Sequence, residues 1–383
     1  MLEGKNERND ILEALKQLEQ NKEKLIDSFG AKRIEELPET PDFRLFRSGL
    51  ISSHRDFDSF YQRLKVGEKS AIVSGLNPSG RLHLGHIGVF DTILFFQNKY
   101  NVVVYIPLSD DESYVANKIE SQEIGLKNSL ELVRECLALG LDPKKTKFII
   151  DQIYTNIYNF AIKLSKFINL TTLRAVYNYT DSDNIGLTFY PAVQSAHILF
   201  PQLFNIRNVL VPIGLDEDTH IRICRDIAER NGYEKPAVLH SSFLPGVDGK
   251  KMSKSKGNAI FLYEDEESIR KKVLQAFSGG RQTLEEHRRL GGIPEIDVAC
   301  IYLKKLFYNK EEGDKLYEDY RAGRLSSGDV KKLLLDEILA RIRRFKENYN
   351  KITSKEMASS ILTNENIDIQ TILDKTGVMN IEL

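Results

Sequence analysis

Between Ala71 and Ile106, a short apolar run, a turn, a helical stripe and a second apolar run follow one another. Ala71-Ile72-Val73-Ser74 and Val102 to Ile106 have the composition of buried strands, and Gly75 to Gly80 is rich in Gly, Asn, Pro and Ser. Leu84, Ile87, Phe90 and Leu94 recur at helical spacing between them. Strand, glycine-containing turn, helix and strand over so short a span make a βαβ unit, which requires parallel strands and a right-handed crossover. Further strands are expected at Lys147 to Ile150, Val209 to Ile213 and Ala237 to His240, separated by helical stretches. The predicted fold is therefore α/β, a Rossmann-like parallel sheet with helices on both faces.

The flanks read differently. Ile11, Leu15, Leu18, Leu25 and Phe29 form an amphipathic stripe among Lys and Glu, and Pro38 and Pro41 interrupt it. Residues 1–69 are thus expected to be an N-terminal helical extension and linker. Residues 70–262 would form the catalytic domain, with a helical insertion over about 113–202. Past Leu262 the strand pattern stops, and Val330, Leu334, Ile338, Ile342 and Phe345 make a helical stripe. This predicts an α-helical C-terminal domain over 263–383.

A run of about 18 apolar residues is missing and Met1 to Asp10 is polar, so neither a membrane span nor a secretory leader is expected. Cys136, Cys224 and Cys300 lie far apart, which argues against a disulfide scaffold or zinc ribbon and for a reducing cytoplasm. The net charge of −1 does not announce a nucleic-acid partner, so any such surface must come from local basic clusters.

Two segments carry chemistry. In Asn77-Pro78-Ser79-Gly80-Arg81-Leu82-His83-Leu84-Gly85-His86 the histidines are three residues apart where the first helix opens. On a helix they would share one face, beside backbone N–H groups and a dipole that favour anions. Two imidazoles there suit phosphate oxygens that gain charge in a transition state, and Gly85 lets a flat ring approach the backbone. A metal site or a polar helix end uses the same pair, but the His-Glu-x-x-His spacing of zinc proteases is missing. So are the P-loop and dinucleotide fingerprints. The second segment is Lys250-Lys251-Met252-Ser253-Lys254-Ser255-Lys256. Its lysines can wrap a triphosphate, whereas alone it would read as a solvated loop.

Together, His83-Leu84-Gly85-His86 and Lys251-Met252-Ser253-Lys254-Ser255 resemble the two signatures of class I aminoacyl-tRNA synthetases, and within them the tyrosyl/tryptophanyl pair. Thr180 to Gly186, Tyr190-Pro191-Ala192-Val193-Gln194-Ser195-Ala196 and Phe277-Ser278-Gly279-Gly280-Arg281-Gln282-Thr283, running on to Glu285-Glu286-His287-Arg288, resemble tryptophanyl enzymes of the archaeal and eukaryotic type. The similarity spans roughly Phe43 to Phe345.

The resemblance implies an ATP-dependent ligase that activates L-tryptophan and transfers it to tRNA(Trp), with magnesium accompanying the ATP and a homodimer as the assembly. It implies catalytic roles for His83, His86, Lys251 and Lys254. ATP contacts are implied for Gly75, Pro78, Gly85, Asp216, Met252, Ser253 and Ser255, and amino-acid contacts for Glu112, Gln194 and Glu217. Lys331, Lys332, Arg341, Arg343 and Arg344 offer charge to a tRNA backbone from a C-terminal domain that reads the anticodon. The chain departs from the better-known eukaryotic pattern at Val73 and Pro107, where a tyrosine and a glutamine touch the indole, and at Glu217, which replaces a glutamine. Tyrosine is the alternative substrate. A nucleotidylyltransferase and a non-catalytic synthetase-like RNA-binding or regulatory protein are the rival classes.

Overall fold

The computed structural model describes residues 11, 13, 17, 20, 22–252 and 257–364. Its centre is a seven-stranded sheet: β1 (Lys32–Arg33), β2 (Ile51–Arg55), β3 (Ser70–Val73), β4 (Val103–Leu108), β5 (Thr146–Ile150), β6 (Asn208–Gly214) and β7 (Ala237–Ser241). The spatial order is β1-β2-β7-β6-β3-β4-β5. β3 pairs in parallel with β4 and β6, β4 with β5, and β6 with β7. The chain leaves β3 toward β4 and β5, then returns to lay β6 and β7 on the other side. This is the doubly wound arrangement, and its crevice opens where β3 and β6 send their connections in opposite directions.

All five expected strands are present. Two more come from the segment read as a helical extension and linker, because β2 pairs antiparallel with β7 and β1 with β2. Of the N-terminal stripe, residues 22–29 are helical and Ile11 and Leu25 are buried, while Phe29 is exposed. Leu15 and Leu18 lie outside the described residues.

Alternation along the strands divides the core into two layers. Ile72, Val104, Ile106, Phe148, Ile150 and Leu210 face one side, against Phe90, Ile93 and Phe96 of the helix Ile87–Tyr100. Ala71, Val73, Tyr105, Ile149, Val209 and Val211 face the other, against the helices Asn156–Ser165, Ile185–Leu199 and Asp218–Arg230. The first layer continues without a break into Ile301, Leu334, Ile338 and Phe345, so the C-terminal helices bury their apolar face on the catalytic layer. Beyond them, Leu362 N donates to Phe148 O at 2.9 Å on the free edge of β5. The three cysteines are buried free thiols.

Candidate active site

The crevice begins where β3 ends. Leu76 N donates to Pro107 O at 2.8 Å and Ser109 N to Leu76 O at 3.0 Å, so the turn that holds Gly75 still follows β4. Asn128 Nδ2 fixes the Pro78 carbonyl at 2.8 Å. The chain then bridges antiparallel at His83–Phe261, with Leu84 N donating to Ile260 O and Leu262 N to Leu82 O, both at 3.0 Å.

That bridge changes the geometry expected for the histidines. His83 is extended (φ −132°, ψ 171°), Leu84–His86 is a single 3-10 turn, and the α-helix starts only at Ile87. The two rings are nonetheless brought together, with centroids 3.9 Å apart. Each caps the turn with the same atom: Gly85 N donates to His83 Nδ1 at 3.2 Å and His83 N to His86 Nδ1 at 3.1 Å. With His83 Nδ1 occupied as an acceptor, its Nε2 is left as the donor to an anionic oxygen, while His86 Nδ1 lies between the backbone N–H and, at 3.3 Å, the carbonyl of His83.

The lysine segment folds onto this turn. A Cβ added at Gly85 would lie 3.0 Å from the His83 ring and 3.1 Å from Met252 Sδ, so only a hydrogen there lets the methionine close over the histidine turn. The hairpin leading to Met252 is held by Gly246 N to Lys250 O at 2.8 Å, and Gly249 takes φ +78° at its tip. Asn258 Nδ2 ties its two arms, reaching Asp248 Oδ1 at 2.9 Å and Lys251 O at 3.1 Å. Ser253, Lys254 and Ser255 lie outside the described residues. Lys251 Nζ is 2.7 Å from Asp216 Oδ2, which joins the loop to the turn Leu215–Glu217 at the end of β6.

The remaining predicted residues lie on elements that follow β4 and β6 or on the helix before β6. Glu112, on the helix Asp110–Val115, accepts from Asn77 Nδ2 and pairs with Lys118 Nζ at 2.7 Å. Gln194, on the helix Ile185–Leu199, has its Oε1 3.3 Å from His220 Nδ1. Glu217 reaches solvent but is crowded by protein, and this with Asp216 beside it pushes its carboxyl up to about 7.

Sequence reasoning missed several groups. His220 stands edge-on to Tyr177 at 4.7 Å, Tyr177 stacks on Tyr179 at 5.2 Å, and burial lowers the imidazole's pKa. Behind Glu112 lies a buried acidic pair: Asp110 accepts from Asp151 N at 3.0 Å and Gln152 Nε2 at 2.7 Å, while Asp151 pairs with His197 Nε2 at 2.7 Å. Burial first, and then the neighbouring carboxylates, push Asp110 up to about 7. The Asp110-Asp111-Glu112 run was the available signal, but it reads as a solvated helix start.

The profile of the class I tRNA synthetases (W and Y) matches residues 65–342. The chain belongs to this family. A tryptophan–tRNA ligase of Methanocaldococcus jannaschii is 37% identical over 354 residues, which are 88% of this chain and 94% of the relative. A tryptophan–tRNA ligase 2 of Halobacterium salinarum is 40% identical over 327 residues, 82% and 84% of the two chains. The crystal structure of tryptophanyl-tRNA synthetase from Aeropyrum pernix K1 superposes with a TM-score of 0.82 at 28% identity, covering 90% of this chain and 96% of that one.

As a class I synthetase the chain uses ATP as substrate. Its Val73 side chain is buried in the apolar layer and Pro107 is buried in β4, so neither presents a polar group to the crevice. The C-terminal basic residues are not all available to a partner. Arg341 pairs with Asp91, Arg343 with Glu266 at 2.6 Å, and Lys331 Nζ donates to Leu274 O at 2.8 Å. Lys332 and Arg344 are exposed. Among the described residues, no helix is long and apolar enough to cross a membrane.

Proposed function

We propose that this chain activates L-tryptophan with ATP to tryptophanyl-adenylate and transfers the acyl group to tRNA(Trp). The observation that carries the reading is the meeting of the two signature segments at the sheet's switch point, with Met252 over Gly85 and Lys251 beside Asp216. The tryptophan–tRNA ligase relatives support tryptophan over tyrosine as the amino acid.

In this reading a carboxylate oxygen of tryptophan attacks the α-phosphorus, the bond to the bridging oxygen of the β-phosphate breaks, and pyrophosphate leaves. No protein nucleophile is required, so the chain contributes position and charge. His83 and His86 donate to the α- and β-phosphate oxygens as charge builds there. Lys251 and Lys254 hold the β- and γ-phosphates, with Met252, Ser253 and Ser255 as further contacts to ATP. Gly75, Pro78 and Gly85 leave room for the nucleotide, and Asp216 accepts from the ribose hydroxyls. Gln194 and Glu112 face the ammonium and carboxylate ends of the amino acid, and Glu217 is a further contact to it. Magnesium accompanies the triphosphate as part of the substrate. A hydroxyl of the terminal ribose of tRNA then attacks the carbonyl carbon of the adenylate, the acyl–phosphate bond breaks and AMP leaves, while the C-terminal helices read the anticodon. The working form is a cytoplasmic homodimer.

ATP–pyrophosphate exchange with each of the twenty amino acids tests this. Exchange with tryptophan alone supports both chemistry and specificity. Exchange with tyrosine keeps the chemistry and transfers the specificity. Absence of exchange in folded protein with magnesium removes the catalytic reading.

A further inference from the structure

The histidine turn is gripped from outside the Rossmann layer, at one residue on each side. Arg81, two residues before His83, points its Nε at Glu135 Oε1 (2.6 Å) and its Nη2 at Glu131 Oε2 (3.2 Å). Its guanidinium lies 4.4 Å from the Tyr263 ring centroid and 5.8 Å from that of Tyr349. The second oxygen of Glu135, which is fully buried, accepts from Leu82 N at 2.8 Å, so the backbone entering the turn is fixed by the same carboxylate.

Tyr349 is the last residue of the helix Ser327–Tyr349. Its hydroxyl accepts from Arg81 Nη2 at 3.2 Å and donates to Glu131 Oε2 at 2.5 Å. Arg134 covers its ring at 4.0 Å and donates to its carbonyl at 3.1 Å. Two turns earlier on the same helix, Arg341 makes a two-pronged pair with Asp91, which also holds Arg44 Nη2 at 2.8 Å. Asp91 lies five residues beyond His86, on the helix that the histidine turn opens.

Apolar burial alone would hold these helices together, as it does along the rest of the shared core. Charge pairs and charged hydrogen bonds add little net stability against apolar packing, but their directionality favours one register. Arg341 and Asp91 are mostly buried (25% and 10% exposed), while the more exposed Arg81 anchors on the buried Glu135, and both contacts end within a few residues of the imidazoles. We propose that the helix Ser327–Tyr349 is a positioning element of the adenylation site, with Tyr349 acting through Arg81 and Arg341 through Asp91 to set the His83–His86 turn. The inference rests on the reading of that turn as phosphate-binding machinery.

The test uses the full-length chain and two single variants, Tyr349→Phe, which keeps the ring and removes only the hydroxyl, and Arg341→Gln. Without tRNA present, kcat for ATP–pyrophosphate exchange falls about tenfold in each, as expected when the phosphate-binding turn is misplaced by a fraction of an ångström. KM for tryptophan stays within about twofold, and the melting temperature does not account for the loss. The histidine Cε1–H NMR signals of His83 and His86 shift in Tyr349→Phe, while that of His240 does not. Unchanged kcat in both variants overturns the proposal. So does a loss of kcat matched by KM and melting temperature, which would mark the helix as structural only. If the wild-type chain exchanges with no amino acid, the adenylation reading fails instead. The NMR arm still decides whether Tyr349 positions the turn, because unmoved His83 and His86 signals refute the link regardless of activity.

Discussion

Lys251 Nζ sits 2.7 Å from Asp216 Oδ2, so a cation assigned to phosphate and a carboxylate assigned to ribose neutralise each other across the crevice. The two side chains are 71% and 62% exposed, and a pair so open to water contributes about 1 kcal/mol or less. A triphosphate can therefore draw Lys251 away at little cost. Lys251→Ala is predicted to slow adenylate formation by about a hundredfold while leaving tryptophan affinity within about twofold. Single-turnover exchange gives the first quantity. The second comes from the fluorescence of bound tryptophan, which is clean because the chain has none of its own. Equal losses in both would remove Lys251 from the phosphates.

Acid stability should depend on Asp218. Its carboxylate accepts from Arg55 Nε at 2.6 Å and Nη2 at 2.8 Å, and from His240 Nε2 at 2.9 Å, linking β2, β7 and the helix that follows β6. Burial works to raise its pKa, but the hydrogen bonds from His240 and Arg55 outweigh it and hold the group at about 2. A folded pKa below the unfolded one gives stability that is present above about pH 4 and lost as pH falls through 2. Asp218→Asn should cost about 3–5 kcal/mol at neutral pH, since it strands Arg55 in the interior. The deficit should narrow by about 2 kcal/mol between pH 4 and pH 2. Urea titrations of both proteins across that window measure it, and a constant gap would refute the assignment.

The glycine-rich stretch that resembles tryptophanyl enzymes, with Gly291 just beyond it, forms a joint between chain segments. A Cβ at Gly291 would lie 1.8 Å from Arg321 O, and its φ is +67°. Gly279 would place one 2.0 Å from Ile293 O. Backbone cannot yield as a flexible side chain does, so Gly291→Ala is expected to lose about 3 kcal/mol. Gly67 provides the control: its φ is +85° with open space around it, so alanine there costs only about 1 kcal/mol of backbone strain. Equal losses at the two sites in thermal unfolding would mean that the close approach at Gly291 contributes nothing.

Such joints also mark how far the sequence could be read. The five parallel strands were legible because each is a compact apolar run with one face in each core layer. β2 was not, since Ile51-Ser52-Ser53-His54-Arg55 shows no apolar alternation and is buried through partners on distant strands, such as Ser53 Oγ at 3.0 Å from His240 Nδ1. The spacing of His83 and His86 gave their proximity, yet not the 3-10 turn between them. That turn is imposed by hydrogen bonds to Ile260 and Leu262, far along the chain, which no local periodicity encodes. For the same reason, Asp151 and His197 meet only once β5 and a distant helix are packed together.

The tRNA-facing charge can be separated from structural charge on a single helix. Arg341 and Arg343 are committed to Asp91 and Glu266, whereas Lys332 and Arg344 are exposed on the same helix Ser327–Tyr349. If the phosphate backbone of tRNA lies along that helix, Lys332→Glu with Arg344→Glu removes two cations and adds two anions. kcat/KM for tRNA charging should fall about tenfold or more at low salt, and the logarithmic salt dependence should become shallower by about one to two. Exchange of pyrophosphate with tryptophan should be unaffected, because neither residue reaches the crevice. Arg343→Gln should leave the salt slope unchanged, since its partner is Glu266 and an exposed pair of this kind adds little to stability. An unchanged slope in the double variant would place the tRNA on another face of the C-terminal helices.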